Sequence, residues 1–117
     1  MQKIYYLANC STCKKMMNSL NLEGFELREI KNDPITIKEL QEMKERSGSF
    51  EALFSKRANL YKELELKNKS LTEKDYKDYI LAHYTFLKRP VVLMDQEIYI
   101  GSSPKTKQLL QKKIGKV

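Results

Sequence analysis

The chain has 117 residues, 41% of them hydrophobic, with 22 Lys+Arg against 15 Asp+Glu and a formal charge of +7. That length and apolar share suit one compact domain, residues 1–117, that needs no disulfide staples, and a second domain is not expected. No apolar run approaches the roughly 20 residues that span a bilayer. The start MQKIYYLANC also lacks the apolar stretch of a secretory leader, so a soluble, cytoplasmic protein is expected.

The basic excess favours anionic partners: a phosphate-like oxyanion, glutathione, an acidic protein surface or nucleic acid. The lysines are interleaved with acids in IKELQEMKER and LTEKDYKDY. Such mixing marks solvated helix faces more than a nucleic-acid groove.

Lys3 to Ala8, KIYYLA, is a β-branched and aromatic run suited to a buried strand. From Ser11 the period changes: Met16, Met17 and Leu20 can share one helical face, with Ser11 or Thr12 placed to cap the start and Gly24 to break the helix. FELREI, Phe25 to Ile30, then alternates apolar and charged residues as a strand with one buried face does. Strand, crossover helix and strand make a β-α-β unit with parallel neighbours.

Thr36 with Glu39 three residues on has capping-box spacing, Ile37, Leu40 and Met43 supply an apolar face, and Gly48 stops the helix. Ser49 to Leu66 reads as short helical pieces, and Thr72 opens another helix carrying Tyr76, Tyr79 and Ile80, with His83 on its face or at its end. VVLM, a turn at Asp95-Gln96 and EIYI form a hairpin; a last helix starts near Pro104, with Leu109, Leu110 and Ile114 as its buried stripe. The order β-α-β, helical insertion (about 35–88), β-β-α is the skeleton of a thioredoxin-like α/β fold with a mixed four-stranded sheet.

Cys10 and Cys13, the two cysteines of the chain, fall at the first strand-to-helix turn. A zinc site needs four ligands, and one C-x-x-C with the distant His83 falls short. A bridge across so short a loop constrains little of the unfolded chain, which argues against a structural disulfide. A reactive thiol fits: at a helix start the thiolate meets unpaired N–H groups and the positive end of the dipole, and Lys14 and Lys15 add positive potential. Cys10 is the expected nucleophile, and Cys13, one turn on, the expected resolving thiol. Tyr5, Tyr6 and Tyr61 can border a binding groove.

YLANCSTCKK, SKRANLYKEL (Ser55 to Leu64), FLKRPVVLMD (Phe86 to Asp95) and IGSSPKTKQLL, in that order, resemble the ArsC/Spx group of thioredoxin-fold proteins. That group includes glutathione- or glutaredoxin-coupled arsenate reductases, YffB-like reductases and the Spx transcription regulators. The resemblance implies Cys10 as nucleophile and Arg89 facing it to bind an oxyanion or glutathione carboxylates. It also implies a cis Pro90, and Arg57 as a second substrate-binding arginine. Ser11 and Thr12 complete the expected substrate loop. A guanidinium beside a thiolate supports these roles independently, since it stays charged and offers a planar fork to oxyanions.

No bound cofactor or metal is expected; glutathione, glutaredoxin or thioredoxin is the implied reductant, and a monomer is expected. Two of the three oxyanion arginines implied by the arsenate reductases are absent: Ser55 stands at one position and GSSPK, with Ser102 and Ser103, at the other. Cys13 departs from those reductases and is shared with Spx. The resulting reading is a thiol-dependent oxidoreductase. The alternatives are an Spx-like redox regulator binding the RNA polymerase α-subunit, with Gly48-Ser49 in the contact region, and a nucleic-acid-binding domain driven by charge.

Overall fold

The computed structural model describes residues 2–116. In chain order the elements are β1 (Gln2–Tyr6), α1 (Ser11–Asn18), β2 (Glu26–Glu29), α2 (Ile37–Ser47), α3 (Asn59–Glu63), α4 (Glu73–Ala82), β3 (Val91–Met94), β4 (Glu97–Ile100) and α5 (Pro104–Ile114). Single 3-10 turns lie at Glu51–Leu53, Leu66–Asn68 and Tyr84–Phe86. They group into two compact units, one made of the chain up to Asp33 and from Arg89 onward, the other of Pro34–Lys88. Among the described residues no helix is long and apolar enough to cross a membrane.

The first unit is built on a mixed four-stranded sheet in the order β2-β1-β3-β4. The parallel β1/β2 pair (Ile4 opposite Leu27) comes from the β-α-β crossover, and the antiparallel β3/β4 pair from the two-residue turn Asp95-Gln96, where Asp95 takes a positive φ of 53°. β1 and β3 are the central strands, so their apolar runs are buried on both faces: Ile4, Tyr5, Val91, Val92 and Leu93 are fully excluded from solvent. On one face Ile4, Val92 and Met94 pack with Met16 and Leu20 from the α1 segment and Leu110 from α5.

Several expectations need correction here. Tyr5, read as a possible groove residue, is a core residue. Leu27 is half exposed because β2 is an edge strand, so the alternation of FELREI does not bury its whole apolar face; Ile30, just past the strand, is buried instead. α1 ends at Asn18, well before Gly24, because Leu20 is already drawn into a bridge with Gly115. A side chain at Gly115 would collide with the Gln111 carbonyl, so only glycine permits that approach. Leu109 is also exposed; Leu110 carries the buried stripe of α5, with Ile114 partly buried.

The second unit is helical. Thr36 and Thr72 cap α2 and α4 with complete capping boxes, closed by Glu39 and Asp75, and Gly48 ends α2 at φ 93°, a conformation that favours glycine. Ile37, at the first turn of α2, is exposed, which leaves Leu40 and Met43 as the buried apolar face. Phe54 centres an aromatic cluster, stacked on Phe86 at 5.2 Å and contacting Tyr76 at 4.9 Å. Short extended segments lock it: Ser55 N–H donates to the Phe86 carbonyl (2.7 Å) and Lys88 N–H to that of Leu53 (2.8 Å). His83 lies at the end of α4, exposed, where its Nδ1 accepts the Thr85 N–H at 3.1 Å.

Candidate active site

Between β1 and α1 the chain turns through Leu7 to Cys10, with the Cys10 N–H donating to the Leu7 carbonyl at 3.2 Å. Cys10 itself is the N-cap of α1, in extended conformation (φ −100°, ψ 111°), so Ser11 and Thr12, expected as caps, are instead the first helical residues. The Cys10 carbonyl accepts the Lys14 N–H at 3.1 Å, the first bond of the helix. This geometry leaves the Cys10 side chain at the mouth of the helix, partly exposed, while Cys13, one turn on, points into the core and is fully buried. They are free thiols, not a disulfide.

The two sulfurs live in opposite electrostatic environments. Partial burial of Cys10 opposes its ionisation, but the Cys13 N–H, the Cys13 thiol, the Arg89 guanidinium and the Thr12 N–H together outweigh it, and the Cys10 pKa falls below the ordinary thiol value. The sulfur makes no regular capping hydrogen bond; the N–H groups act as a local positive field at the helix start. Burial pushes the Cys13 thiol up to about 11, with the hydrogen bond and charge of Cys10 acting in the same direction and the Leu7 backbone and Arg89 only partly offsetting them.

Arg89 is thus brought beside both thiols, and Pro90, buried, follows it through the expected cis peptide bond. Ser11 and Thr12 are exposed in the first turn of α1. Arg57 is exposed in the turn before α3 and belongs to the Pro34–Lys88 unit. Of the serines standing where the resemblance implies arginines, Ser103 caps α5, accepting the Thr106 N–H at 3.2 Å, and Ser55 contributes its backbone to the lock on the aromatic cluster. Among the described residues no three His, Cys, Asp or Glu side chains gather as metal ligands do.

One residue of this region escaped the sequence reading. The Glu29 carboxylate accepts the Ala8 N–H at 2.8 Å, two residues before Cys10. Its only sequence signal is a carboxylate at a strand end before a polar turn, KNDP.

The profile of the ArsC family matches residues 5–109. The uncharacterized protein YusI of Bacillus subtilis is 28% identical over 102 residues, covering 83% of this chain and 86% of that one. Among solved structures, an ArsC family related protein from Bacteroides fragilis is 27% identical with a TM-score of 0.77, over 93% of this chain and 96% of that one. An arsenate reductase from Vibrio cholerae has the same TM-score at 20% identity, over 93% and 96% of the two chains, a likeness of fold. With a cysteine pair at the first turn of the β-α-β unit and a family match spanning nearly its whole length, the chain belongs to the ArsC family.

Proposed function

We propose that the protein is a thiol-dependent oxidoreductase of the arsenate reductase type, with Cys10 as nucleophile and Cys13 as resolving thiol. The observation that carries this reading is the division between the two sulfurs: one accessible, favoured as thiolate and faced by Arg89, the other buried and held protonated a single turn away. A nucleophile must be ionised and reachable; a resolving thiol must stay unreactive until the first bond has formed.

With a disulfide substrate, the Cys10 thiolate attacks one sulfur and the other leaves as thiolate. With an oxyanion such as arsenate, a bond from Cys10 sulfur to arsenic forms as water departs. In either adduct Cys10 has lost its negative charge, so one of the influences that keep Cys13 protonated disappears while Arg89 remains. Cys13 then gives up its proton, which ends on the departing product, and attacks the Cys10 sulfur. The bond between Cys10 and the substrate breaks, its electron pair leaves with the product, and a Cys10–Cys13 disulfide remains. Two electrons from glutathione, glutaredoxin or thioredoxin restore the dithiol; glutathione can also replace Cys13 as the attacking thiol. Arg89 supplies the positive charge for an anionic substrate, with Ser11, Thr12 and Pro90 shaping the loop. The family resemblance adds Arg57 to the binding set, for which Arg57→Ala should raise KM.

The test is mass spectrometry of alkylated thiols after the reduced protein meets arsenate or, in parallel, oxidised glutathione. Conversion of Cys10 to a disulfide by arsenate supports oxyanion reduction; conversion by oxidised glutathione alone supports a general thiol reductase. Cys10→Ser should abolish turnover and Cys13→Ser should trap the adduct, whereas wild-type turnover in Cys10→Ser sinks the proposal.

A further inference from the structure

β1 and β2 pair in parallel as far as Tyr6 opposite Glu29, and one more bond, Ile30 N–H to the Tyr6 carbonyl at 3.0 Å, ends the ladder. Beyond it residues 30–32 form a turn, and the next donor on the β1 side, the Ala8 N–H, finds its acceptor in a side chain rather than in strand backbone. The Glu29 side chain supplies that acceptor: Oε2 takes the Ala8 N–H at 2.8 Å. Its other oxygen, Oε1, takes the N–H groups of Lys31 and Asn32, each at 2.9 Å. A carboxylate that accepts three backbone donors at these distances makes charge-assisted bonds, stronger than their neutral counterparts.

The support behind the carboxylate is itself fixed. The Glu29 carbonyl accepts the Asp33 N–H at 3.0 Å, closing the turn, and Arg28 Nε bonds both the Asp33 carboxylate (2.9 Å) and the Asp33 carbonyl (3.0 Å). On the other side of the clasp, Ala8 and Asn9 are exposed, and the turn is also held by the Cys10 N–H bond to the Leu7 carbonyl and by the Leu7 backbone against the Cys13 thiol. The Ala8 N–H, Lys31 N–H and Asn32 N–H, with the Lys31 charge, also hold the Glu29 carboxyl below the usual carboxylate range, so the clasp is ionised at neutral pH.

We propose that Glu29 is the positioning residue of the reactive-thiol loop: its carboxylate ties the Leu7–Cys10 turn to the end of β2 and so holds the Cys10 sulfur against the α1 N–H groups and Arg89. The proposal rests on Cys10 being the nucleophile. It gives Glu29 no contact with substrate; the residue acts through the loop.

The sign of the effect separates positioning from simple charge. A carboxylate near a thiol raises the thiol pKa, so if Glu29 acted only as a negative charge, both Glu29→Ala and Glu29→Gln would lower the Cys10 pKa. As a clasp, Glu29→Ala should release the loop and raise it, and Glu29→Gln, whose single amide oxygen cannot serve both the Ala8 N–H and the Lys31 and Asn32 N–H groups, should raise it by less.

The experiment measures the iodoacetamide reaction rate of Cys10 against pH, in the Cys13→Ser background, for wild type and both variants. Glu29→Ala should raise the Cys10 pKa read from this profile by about half to one unit, a loss of about three- to tenfold in thiolate fraction at pH 7. Glu29→Gln should fall between Glu29→Ala and wild type. Cys10 titrating at or below its wild-type pKa in both variants overturns the proposal. So does an equal upward shift in Leu110→Ala, which destabilises the core while leaving the clasp intact, because the effect would then be general loosening. Alkylation needs no substrate, so loss of the oxidoreductase reading through a fully active Cys10→Ser would be seen separately from loss of the clasp.

Discussion

Reduced protein exposed briefly to a limiting amount of iodoacetamide at about pH 7.5 should be labelled at Cys10 and scarcely at Cys13. The magnitude follows from the two environments. The Cys10 pKa lies below 9.0 and that of Cys13 at about 11, a gap of at least about two units. Near neutral pH the thiolate fractions therefore differ at least about 100-fold. The more basic thiolate is intrinsically the better nucleophile, which returns roughly six- to tenfold of that advantage. About tenfold selectivity for Cys10 remains, and the complete burial of Cys13 widens it. Lys3 and Lys14 bracket both cysteines with no Lys or Arg between, so one tryptic peptide carries the pair and fragment ions must assign the label. The same pulse in urea should label both alike, since the distinction belongs to the fold. Equal labelling in the native protein, or labelling of Cys13 first, would refute the reasoning.

Arg89→Ala should raise the Cys10 pKa, read from the pH dependence of alkylation, and Arg89→Lys should recover part of the shift, because a point charge remains without the planar fork. Cys13 holds its proton in the folded chain from 9.0 to about 11 whereas the unfolded chain releases it. The unfolded state then binds fewer protons, so stability should fall by about 2–3 kcal/mol as pH rises across that window. Urea denaturation of reduced wild type against Cys13→Ala should show the extra slope in wild type. Leu110→Ala, emptying a fully buried position beneath the sheet, should cost about 2–5 kcal/mol in the same assay. Thr36→Ala and Thr72→Ala should each cost about 1 kcal/mol by removing a capping box.

The elements were legible where the local signal and the tertiary need agree. Ile4-Tyr5 and VVLM lie in central strands, buried on both sides, and their apolar character announces it, although the first strand ends at Tyr6 rather than at Ala8. The caps at Thr36 and Thr72 and the turn at Asp95-Gln96 are short-range chemistry and read directly. Leu27, Ile37 and Leu109 misled because apolar periodicity says which residues share a face, not whether another element covers it; Leu27 lies at a sheet edge, Ile37 in a helix's first turn, and Leu109 one position off the buried Leu110. In the site, Cys10 and Cys13 stood out by residue type and spacing, and the Arg89-Pro90 pair through the family resemblance. Glu29 did not, because a side chain taking the place of a strand carbonyl depends on where β2 turns away from β1, which no local pattern encodes.

The opposed behaviour of two chemically identical thiols needs no special surroundings for each; it follows from the three-residue spacing at this helix start. The N-cap position places a side chain outside the cylinder, toward solvent and the unpaired N–H groups, so Cys10 gains access and a positive field together. One turn later the same helix presents its inner face to the sheet, so Cys13 is desolvated by the packing that holds α1 in place. Shifting the second cysteine to position 14 would move it to a site that is exposed in this fold, where Lys14 now stands. Such a thiol would lose the burial that keeps it protonated and would compete with Cys10 for the oxidant. Moving the pair together along α1 would instead take the first thiol away from the free N–H groups and leave no favoured thiolate. The strand-to-helix turn therefore does more than carry the motif: its geometry divides the pair into an accessible thiol favoured as thiolate and a buried one held protonated.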